Sequence, residues 1–129
     1  MRCPPGRSLG LKDGRRAGGL GLGLAAATAI ASELARGVLP EPFIACGVLP
    51  SLLLAGHELG LDALAGEQLP AVAWQERADD FDPLACRTRV SQDGVLDGEK
   101  RFIAGAAGAT GLIVSARDIR GVVSLWWVS

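Results

Sequence analysis

The sequence predicts an α+β fold in which N-terminal α-helices are followed by an incomplete antiparallel β-domain that resembles a barrel. The first observation is a run of apolar segments of helical length before Pro70. The second is a period-two alternation of apolar and polar residues from position 84 onward. The third is a pair of Asp-Gly turn signals, at 93–94 and 97–98, which favour hairpins.

Composition divides the 129 residues into three parts. Residues 1–17 are rich in Gly, Pro and Arg and predict a disordered tail. Residues 18–68 predict a partial helical domain, and residues 69–129 predict a truncated β-domain. The final apolar run, 123–128, reaches the C-terminus without a turn, and we interpret this as a sign of truncation because an open strand edge invites aggregation.

Bulk charge and cysteine spacing exclude several classes of function. The net charge is −1, which argues against nucleic-acid binding. The cysteines Cys3, Cys46 and Cys86 are far apart and form no CxxC pair, so we predict no metal site and free thiols in a reducing, cytoplasmic setting.

Export is an alternative reading of the N-terminus. Arg15-Arg16 precede the apolar run 20–31, which ends in a small-residue sequence similar to a signal cleavage site. Glycines interrupt that run and it continues into a helical period, so we favour the cytoplasm. The run is also shorter than the ~20 residues that a membrane-spanning helix needs.

Two helical segments are predicted before Pro70. Residues 25–36 form a helix that packs through a stripe of small side chains and ends at Gly37. The stripe consists of Leu24, Thr28, Ala31 and Ala35. Residues 43–59 form a second helix that Pro50 kinks or restarts. A short amphipathic stretch at 62–68 follows, with Asp62 as its N-cap.

The β-region begins with a short buried strand at 71–75 and a polar turn at 79–83. Cys86, Thr88 and Val90 then alternate with polar residues, which predicts that these three point inward. Further strands are predicted at residues 101–104, 112–116 and 122–128.

Several apparent motifs are better explained by structure. The glycine-rich stretches 19–23 and 105–111 lack the Rossmann spacing. His57 lies at the end of an apolar segment, where a capping or surface role is expected. The acidic residues of the 76–82 segment indicate a solvated turn rather than a metal or acid–base site.

Five segments in order resemble part of the acyl-CoA dehydrogenase family. Residues 69–76 (LPAVAWQE) resemble the segment that opens its middle domain, and residues 97–106 (DGEKRFIAGA) are similar to its Gly-x-Lys-x-aromatic-Ile-Thr stretch. Residues 112–117 and 123–128 resemble the next two strands, and the 18–43 region resembles the preceding helices. The resemblance covers the end of the N-terminal helical domain and the first half of the middle β-domain. The Ala-Trp-Gln-Glu variant is similar to the branch that includes small subunits of pimeloyl-CoA dehydrogenases.

The resemblance implies FAD as cofactor and an acyl-CoA substrate. The residues matching the flavin-lining positions are Trp74, Gln75, Glu76, Phe102, Ile103 and Ala104. Phe81 and Asp82 match the substrate-contacting positions. The sequence departs from the pattern at Ala104, where a hydroxyl residue is usual, at Phe81, where a serine is frequent, and at Arg77, where a proline is usual.

A structural explanation stands beside each of these assignments. Trp74 and Phe102 could be core aromatics, and Gln75 and Glu76 could be ordinary polar groups at a strand end. Glu99 and Lys100 are interpreted as the solvated rim of a hairpin.

The implied reaction is dehydrogenation of acyl-CoA to 2-enoyl-CoA, with a carboxylate as base and a flavoprotein as electron acceptor. In the family the base comes from a C-terminal helical domain, so we assign no catalytic residue to this chain and expect no activity from it alone. The alternative is a non-catalytic module that pairs with a full-length acyl-CoA dehydrogenase subunit. Either reading implies a homo- or hetero-oligomer.

Overall fold

The structure, a computed structural model, describes residues 7–8, 23–40, 42–79 and 81–129. Its helices are α1 (Gly23–Arg36), a π-helical segment (Phe43–Val48), α2 (Leu49–Leu53), α3 (Glu58–Leu64) and a 3₁₀ turn (Ala106–Gly108). Its strands are β1 (Arg7–Ser8), β2 (Pro70–Ala73), β3 (Arg89–Val90), β4 (Leu96–Asp97), β5 (Gly111–Arg117) and β6 (Val123–Val128). None of the helices in these ranges is both long and apolar enough to cross a bilayer.

Helix α1 forms where the alanine-rich sequence predicts it, but its packing face differs from the prediction. The half-buried residues are Ala26, Ala27, Ala31 and Leu34. Leu24 and Thr28 are exposed, and the Thr28 hydroxyl donates to the Leu24 carbonyl at 2.9 Å. The stripe was predicted from spacing alone, whereas the buried face is set by the π-helical segment against which α1 packs.

The end of α1 is shifted by one residue from the predicted cap. The Leu39 N–H donates to the Leu34 carbonyl, and the Val38 N–H donates to the Ala35 carbonyl. Val38, rather than Gly37, takes the left-handed conformation, with φ of 52°. A β-branched residue adopts this conformation at a cost that glycine avoids.

The segment predicted as one helix over 43–59 is divided into the π-helical segment, α2 and a turn. Pro50 lies in the first turn of α2, where its missing N–H leaves no partner unsatisfied, so it restarts the helix. His57 is the N-cap of α3, and its Nδ1 accepts from the Leu59 N–H at 3.2 Å. The expectation of a capping role for His57 is confirmed, while Asp62 lies inside α3 and is not the predicted N-cap.

The described strands form one mixed sheet with β5 at its centre. On one side residues 112–117 of β5 pair antiparallel with β6. On the other side its first half pairs in parallel with β2, and its last residue pairs in parallel with β3. Strands β3 and β4 form the hairpin predicted at Asp93-Gly94. The α+β prediction is confirmed, but the sheet is mixed rather than purely antiparallel because β2 and β3 both run alongside β5 in the same direction.

The predicted strand at 101–104 and the predicted hairpin at Asp97-Gly98 do not form. Gly98 has φ of 153°, which ends β4, and Phe102 is left-handed with φ of 56°. Residues 98–105 therefore follow an irregular path beside the end of β2. Of the predicted tail, Arg7 and Ser8 pair with Trp127 and Trp126 of β6, and the other positions of 1–17 lie outside the described residues.

The core lies between the short helices and the sheet. Leu54, Ile113 and Trp127 form its buried centre. Burial of each such side chain contributes about 1.5–3 kcal/mol relative to exposure. The predicted inward alternation of Cys86, Thr88 and Val90 is confirmed, since all three are buried and their neighbours are exposed. This arrangement fixes the end of β2 against β5 and against the chain entering β3.

Candidate functional site

A buried ion pair lies where β2 ends. The Lys100 Nζ is 2.8 Å from the Glu76 Oε1, and the two side chains are 6% and 10% exposed. Lys100 follows β4 on the irregular 98–105 segment, and Glu76 follows β2. The expectation that Lys100 forms a solvated hairpin rim is therefore wrong, while Glu99 is exposed as expected.

Glu76 accepts hydrogen bonds from the chain that leads into β3. The Thr88 N–H and hydroxyl each donate to Oε1 at 2.8 Å, and the Arg87 N–H donates to Oε2 at 2.9 Å. Burial by itself raises the pKa of the Glu76 carboxyl, but the bonds from Lys100, Thr88 and Arg87 outweigh it and lower the pKa to about 2. Glu76 is thus held ionised by the protein around it.

Lys100 contacts the residues that follow β2, the chain that enters β3, and β5. Besides Glu76, its Nζ donates to the Ser115 hydroxyl on β5 at 2.9 Å and to the Trp74 carbonyl at 3.2 Å. The Cys86 Sγ is 3.4 Å from the same nitrogen. An ammonium group has three donors, and all of its near neighbours here are polar, so its burial is compensated.

A cavity of about 540 Å³ opens beside this ion pair. Trp74 and Phe81 line it together with residues of α2, the 83–84 turn, β5 and β6. Its lining is predominantly apolar, and Ser115 and Ser124 supply the hydroxyl groups. Trp74 is half-buried, and the Phe81 side chain is 76% exposed. The predicted cofactor residue Trp74 and the predicted substrate residue Phe81 therefore share one surface.

The two predicted cofactor segments also meet. The Arg101 N–H donates to the Gln75 carbonyl at 2.8 Å, which holds the 101–104 segment against the end of β2. Next to this bond, Phe102 is 61% exposed, and the Arg101 guanidinium lies 5.7 Å from its ring centroid. An exposed aromatic side chain on a left-handed backbone is a costly arrangement, which marks a candidate functional position.

The remaining predicted residues have local contacts. Ile103 is half-buried. The Ala104 carbonyl accepts from the Cys46 thiol, with 3.4 Å between sulfur and oxygen. Asp82 is exposed, and its Oδ1 accepts from the Leu84 N–H at 2.9 Å, which stabilises the turn after Phe81. The Gln75 Nε2 donates to the Arg77 carbonyl at 3.0 Å.

Within the described ranges, no three His, Cys, Asp or Glu side chains gather in a way that could hold a metal ion. Asp79 is exposed and forms a bidentate ion pair with Arg77, at 3.0 Å for both contacts. The Arg77 guanidinium lowers the pKa of the Asp79 carboxyl. This pair belongs to a solvated turn, as the sequence predicts for Asp79, whereas the same prediction is wrong for Glu76, which is buried against Lys100.

Comparison of the structure with solved proteins shows a similar fold. A variant of the steroid acyl-CoA dehydrogenase Tcur3481-Tcur3483 matches with a TM-score of 0.65 and 26% sequence identity, and the match covers 88% of this chain. The chain has the fold of part of an acyl-CoA dehydrogenase. It spans 34% of the length of that steroid acyl-CoA dehydrogenase chain. No family model and no curated protein sequence matches the chain.

The acyl-CoA dehydrogenase resemblance singled out residues 74–76 and 102–104, which lie next to each other in the structure, but not the polar cluster around Glu76. The cluster around Glu76 consists of Lys100, Thr88 and Cys86, with Ser115 bound to Lys100. No sequence pattern connected these residues with one another. The alternation of 86, 88 and 90 indicated which side chains point inward. One signal could have found the cluster. Side chains of Cys86 and Thr88 that point inward need polar partners, and this requirement indicates that polar residues lie around them.

Proposed function

We propose that this chain forms the flavin-facing wall of an FAD-dependent acyl-CoA dehydrogenase, which oxidises the Cα–Cβ bond of an acyl thioester to give 2-enoyl-CoA. The observation that carries the proposal is the contact between the Arg101 N–H and the Gln75 carbonyl, which joins the two wall segments in an acyl-CoA dehydrogenase-like fold. The chain would act in the cytoplasm, with a flavoprotein as electron acceptor and further acyl-CoA dehydrogenase subunits as partners.

The residues present fit a planar aromatic cofactor. Phe102 has an exposed ring at the surface where β2 ends. Trp74, which directly precedes Gln75, has a half-buried side chain. Ala104 is exposed and has no side-chain hydroxyl, so only its backbone and methyl group can face a cofactor. A bound flavin supplies the hydride acceptor, and the backbone around Trp74, Gln75 and Glu76 supplies fixed dipoles that favour negative charge on it.

Lys100 and Glu76 serve this wall as positioning residues. The Lys100 ammonium donates to the Trp74 carbonyl, and the Glu76 carboxylate accepts from the backbone of Arg87 and Thr88. The ion pair therefore fixes the backbone of residues 74–76 at both ends. Rigid support of this kind preserves the geometry on which a binding wall depends.

The substrate side of the proposal rests on the cavity lined by Trp74 and Phe81. Its volume, about 540 Å³, and its apolar lining suit a bulky hydrocarbon group. The similar solved structure is a steroid acyl-CoA dehydrogenase, so a polycyclic acyl-CoA is the substrate class that we favour. Asp82 stabilises the turn after Phe81 by accepting from the Leu84 N–H.

The base that removes the Cα proton is proposed to come from another domain or subunit. Glu76 is the carboxylate closest in sequence to the wall, but it is ionised, buried and bound by Lys100, with a pKa of about 2. A general base works best with a pKa near the operating pH. We therefore expect the 129-residue polypeptide to bleach no flavin when FAD, acyl-CoA and an electron acceptor are supplied.

Fluorescence titration tests the wall directly. The chain has three tryptophans, Trp74, Trp126 and Trp127, and a flavin stacked on the wall would quench the emission of Trp74. We expect FAD, but not ADP, to quench part of the emission of the wild type and a smaller part in Trp74→Phe. Equal quenching of both proteins would show that the isoalloxazine does not lie against Trp74, and the proposal would fail.

A second candidate is a non-catalytic module that pairs with a full-length acyl-CoA dehydrogenase subunit. Strand β6 pairs with β1 only at Trp126 and Trp127, so Val123–Leu125 have no strand partner on that side among the described residues. An open edge of this kind can accept a strand from another chain. Co-purification of the tagged chain with a larger flavoprotein subunit would favour this candidate, and its loss on placing a proline at Leu125 would assign the edge.

A further inference from the structure

We propose that Lys100 and Cys86 form a covalent cross-link through one oxygen atom when the folded chain is oxidised. The Lys100 Nζ lies 3.4 Å from the Cys86 Sγ, and the two side chains are 6% and 5% exposed. A buried cysteine and a buried lysine held this close form a pair of adjacent nucleophiles once each has lost its proton. The flexible lysine side chain needs only a small displacement to admit a bridging atom.

The groups around the pair match the proton transfers that the cross-link requires. The Glu76 Oε1 is 2.8 Å from the Lys100 Nζ and 3.6 Å from the Cys86 Sγ, so a single carboxylate oxygen faces both reacting atoms. The Ser115 hydroxyl is 2.9 Å from the same Nζ. Glu76 is the carboxylate that faces the ammonium, and it can take up the proton as the N–O bond forms and the positive charge of Lys100 disappears.

Dioxygen is the oxidant that balances the step. The O–O bond breaks, one oxygen atom enters the bridge, and the other leaves as water with one hydrogen from the amine and one from the thiol. New N–O and O–S bonds form, and one hydrogen stays on nitrogen. Sulfur and nitrogen each lose two electrons, and dioxygen gains the four. The extra proton of the ammonium passes to Glu76, so the buried carboxylate is neutralised when its cationic partner disappears.

The cavity described above is the space from which we propose that the oxidant approaches. Ser115 and Trp74 both line this cavity, and both accept a hydrogen bond from the Lys100 Nζ. A small molecule in the cavity therefore lies against two residues that contact the reacting nitrogen. The cross-link would fasten the chain that enters β3 to the 98–105 segment through a covalent bond.

Peptide mapping tests the proposal. The folded wild-type chain is kept in air-saturated buffer, alkylated, and digested with trypsin. We expect peptide 78–87, which contains Cys86, to be joined to peptide 90–101, which contains Lys100, with the mass of one added oxygen and two lost hydrogens. Dithiothreitol should separate the two peptides, because reduction cleaves the O–S bond.

Three controls keep the test decisive. Lys100→Arg and Cys86→Ala should lose the joined peptides, while Cys46→Ala should retain them, since Cys46 contacts the Ala104 carbonyl instead of a lysine. Because the first two variants could also unfold, the wild type is oxidised in concentrated urea as well, where the joined peptides should not form. The proposal is overturned if folded wild type yields no joined peptides, or if Cys86 gains whole oxygens without loss of hydrogen. Joined peptides in Lys100→Arg, or in urea, would also overturn it.

Discussion

Glu76 and Lys100 are 24 residues apart in the chain, yet their charged atoms meet at 2.8 Å inside the protein. The pair connects the end of β2 with the segment that carries Arg101 and Phe102. Replacing both partners of a buried pair can be nearly neutral, but removing one leaves an uncompensated charge. Single substitutions in this pair should therefore show how much it contributes to the stability of the fold around residues 74–76.

Glu76→Gln is expected to lower the free energy of unfolding by about 3 kcal/mol. The amide oxygen can still accept from the Arg87 and Thr88 N–H groups, so the loss comes mainly from the buried ammonium of Lys100. Urea denaturation followed by circular dichroism measures the change. Glu99→Gln is the matched control: its pair with Arg101 is exposed and 3.5 Å long, so its loss should cost about 0–1 kcal/mol. Equal losses for the two variants would contradict the burial argument.

The stability of the protein should fall in acid through Glu76. Its pKa is lowered from 4.5 to about 2, so the contribution is fully present above pH 4.5 and is lost as the pH falls through about 2. A shift of this size corresponds to about 3 kcal/mol at most. Urea midpoints measured between pH 6 and pH 2 should drop steeply below 4.5 in the wild type. In Glu76→Gln the drop of the urea midpoint should be much smaller, whereas Glu99→Gln should retain the full drop. If the midpoint of Glu76→Gln fell with pH as steeply as that of the wild type, the acid sensitivity would belong to other carboxyl groups.

The elements that the sequence predicted correctly are those whose signal is local. Strand β6 is a continuous apolar run, and the alternation of Cys86, Thr88 and Val90 follows the period of the pleat. The His57 cap likewise depends on a residue only two positions away. Such patterns need no knowledge of the rest of the chain.

The errors concern relationships between distant residues. The direction of β2 relative to β5 is decided by the path of the chain between them, and the alternation of side chains is the same in parallel and antiparallel strands. The local sequence predicts that Lys100 is an exposed hairpin residue. In the structure it is buried because Glu76, Trp74 and Ser115, which are distant in sequence, contact its ammonium group. The strand predicted at 101–104 fails because the left-handed Phe102 breaks the extended path.

Gly111→Ala should destabilise the protein by about 1–3 kcal/mol, because it overpacks the core. A Cβ at Gly111, the first residue of β5, would overlap ring atoms of the Trp127 indole. Trp127 is buried and cannot swing into solvent. Gly108→Ala is the matched control, since a Cβ there meets no atom within 4 Å. Urea midpoints compare the two variants; a Gly108→Ala loss as large as that of Gly111→Ala would rule out the contact with Trp127 as the cause.

Phe102→Gly separates stability from the proposed cofactor contact. Phe102 has φ of 56° and is 61% exposed, so glycine relieves a left-handed conformation that costs a side-chain residue roughly 1–2 kcal/mol. The lost contact with the Arg101 guanidinium offsets about 0.5–1 kcal/mol of this gain. We expect the free energy of unfolding to stay level or to rise by up to about 1 kcal/mol, as measured by urea denaturation.

Val38→Gly is the control for that substitution, because Val38 is also left-handed, with φ of 52°, and lies after α1, away from the wall. Its free energy of unfolding should rise by about 1 kcal/mol. In the FAD titration Val38→Gly should quench like the wild type, while Phe102→Gly should quench less because the exposed ring is gone. If Phe102→Gly keeps the wild-type response, the ring does not contact the cofactor, and the strained backbone at Phe102 must serve another contact of this surface.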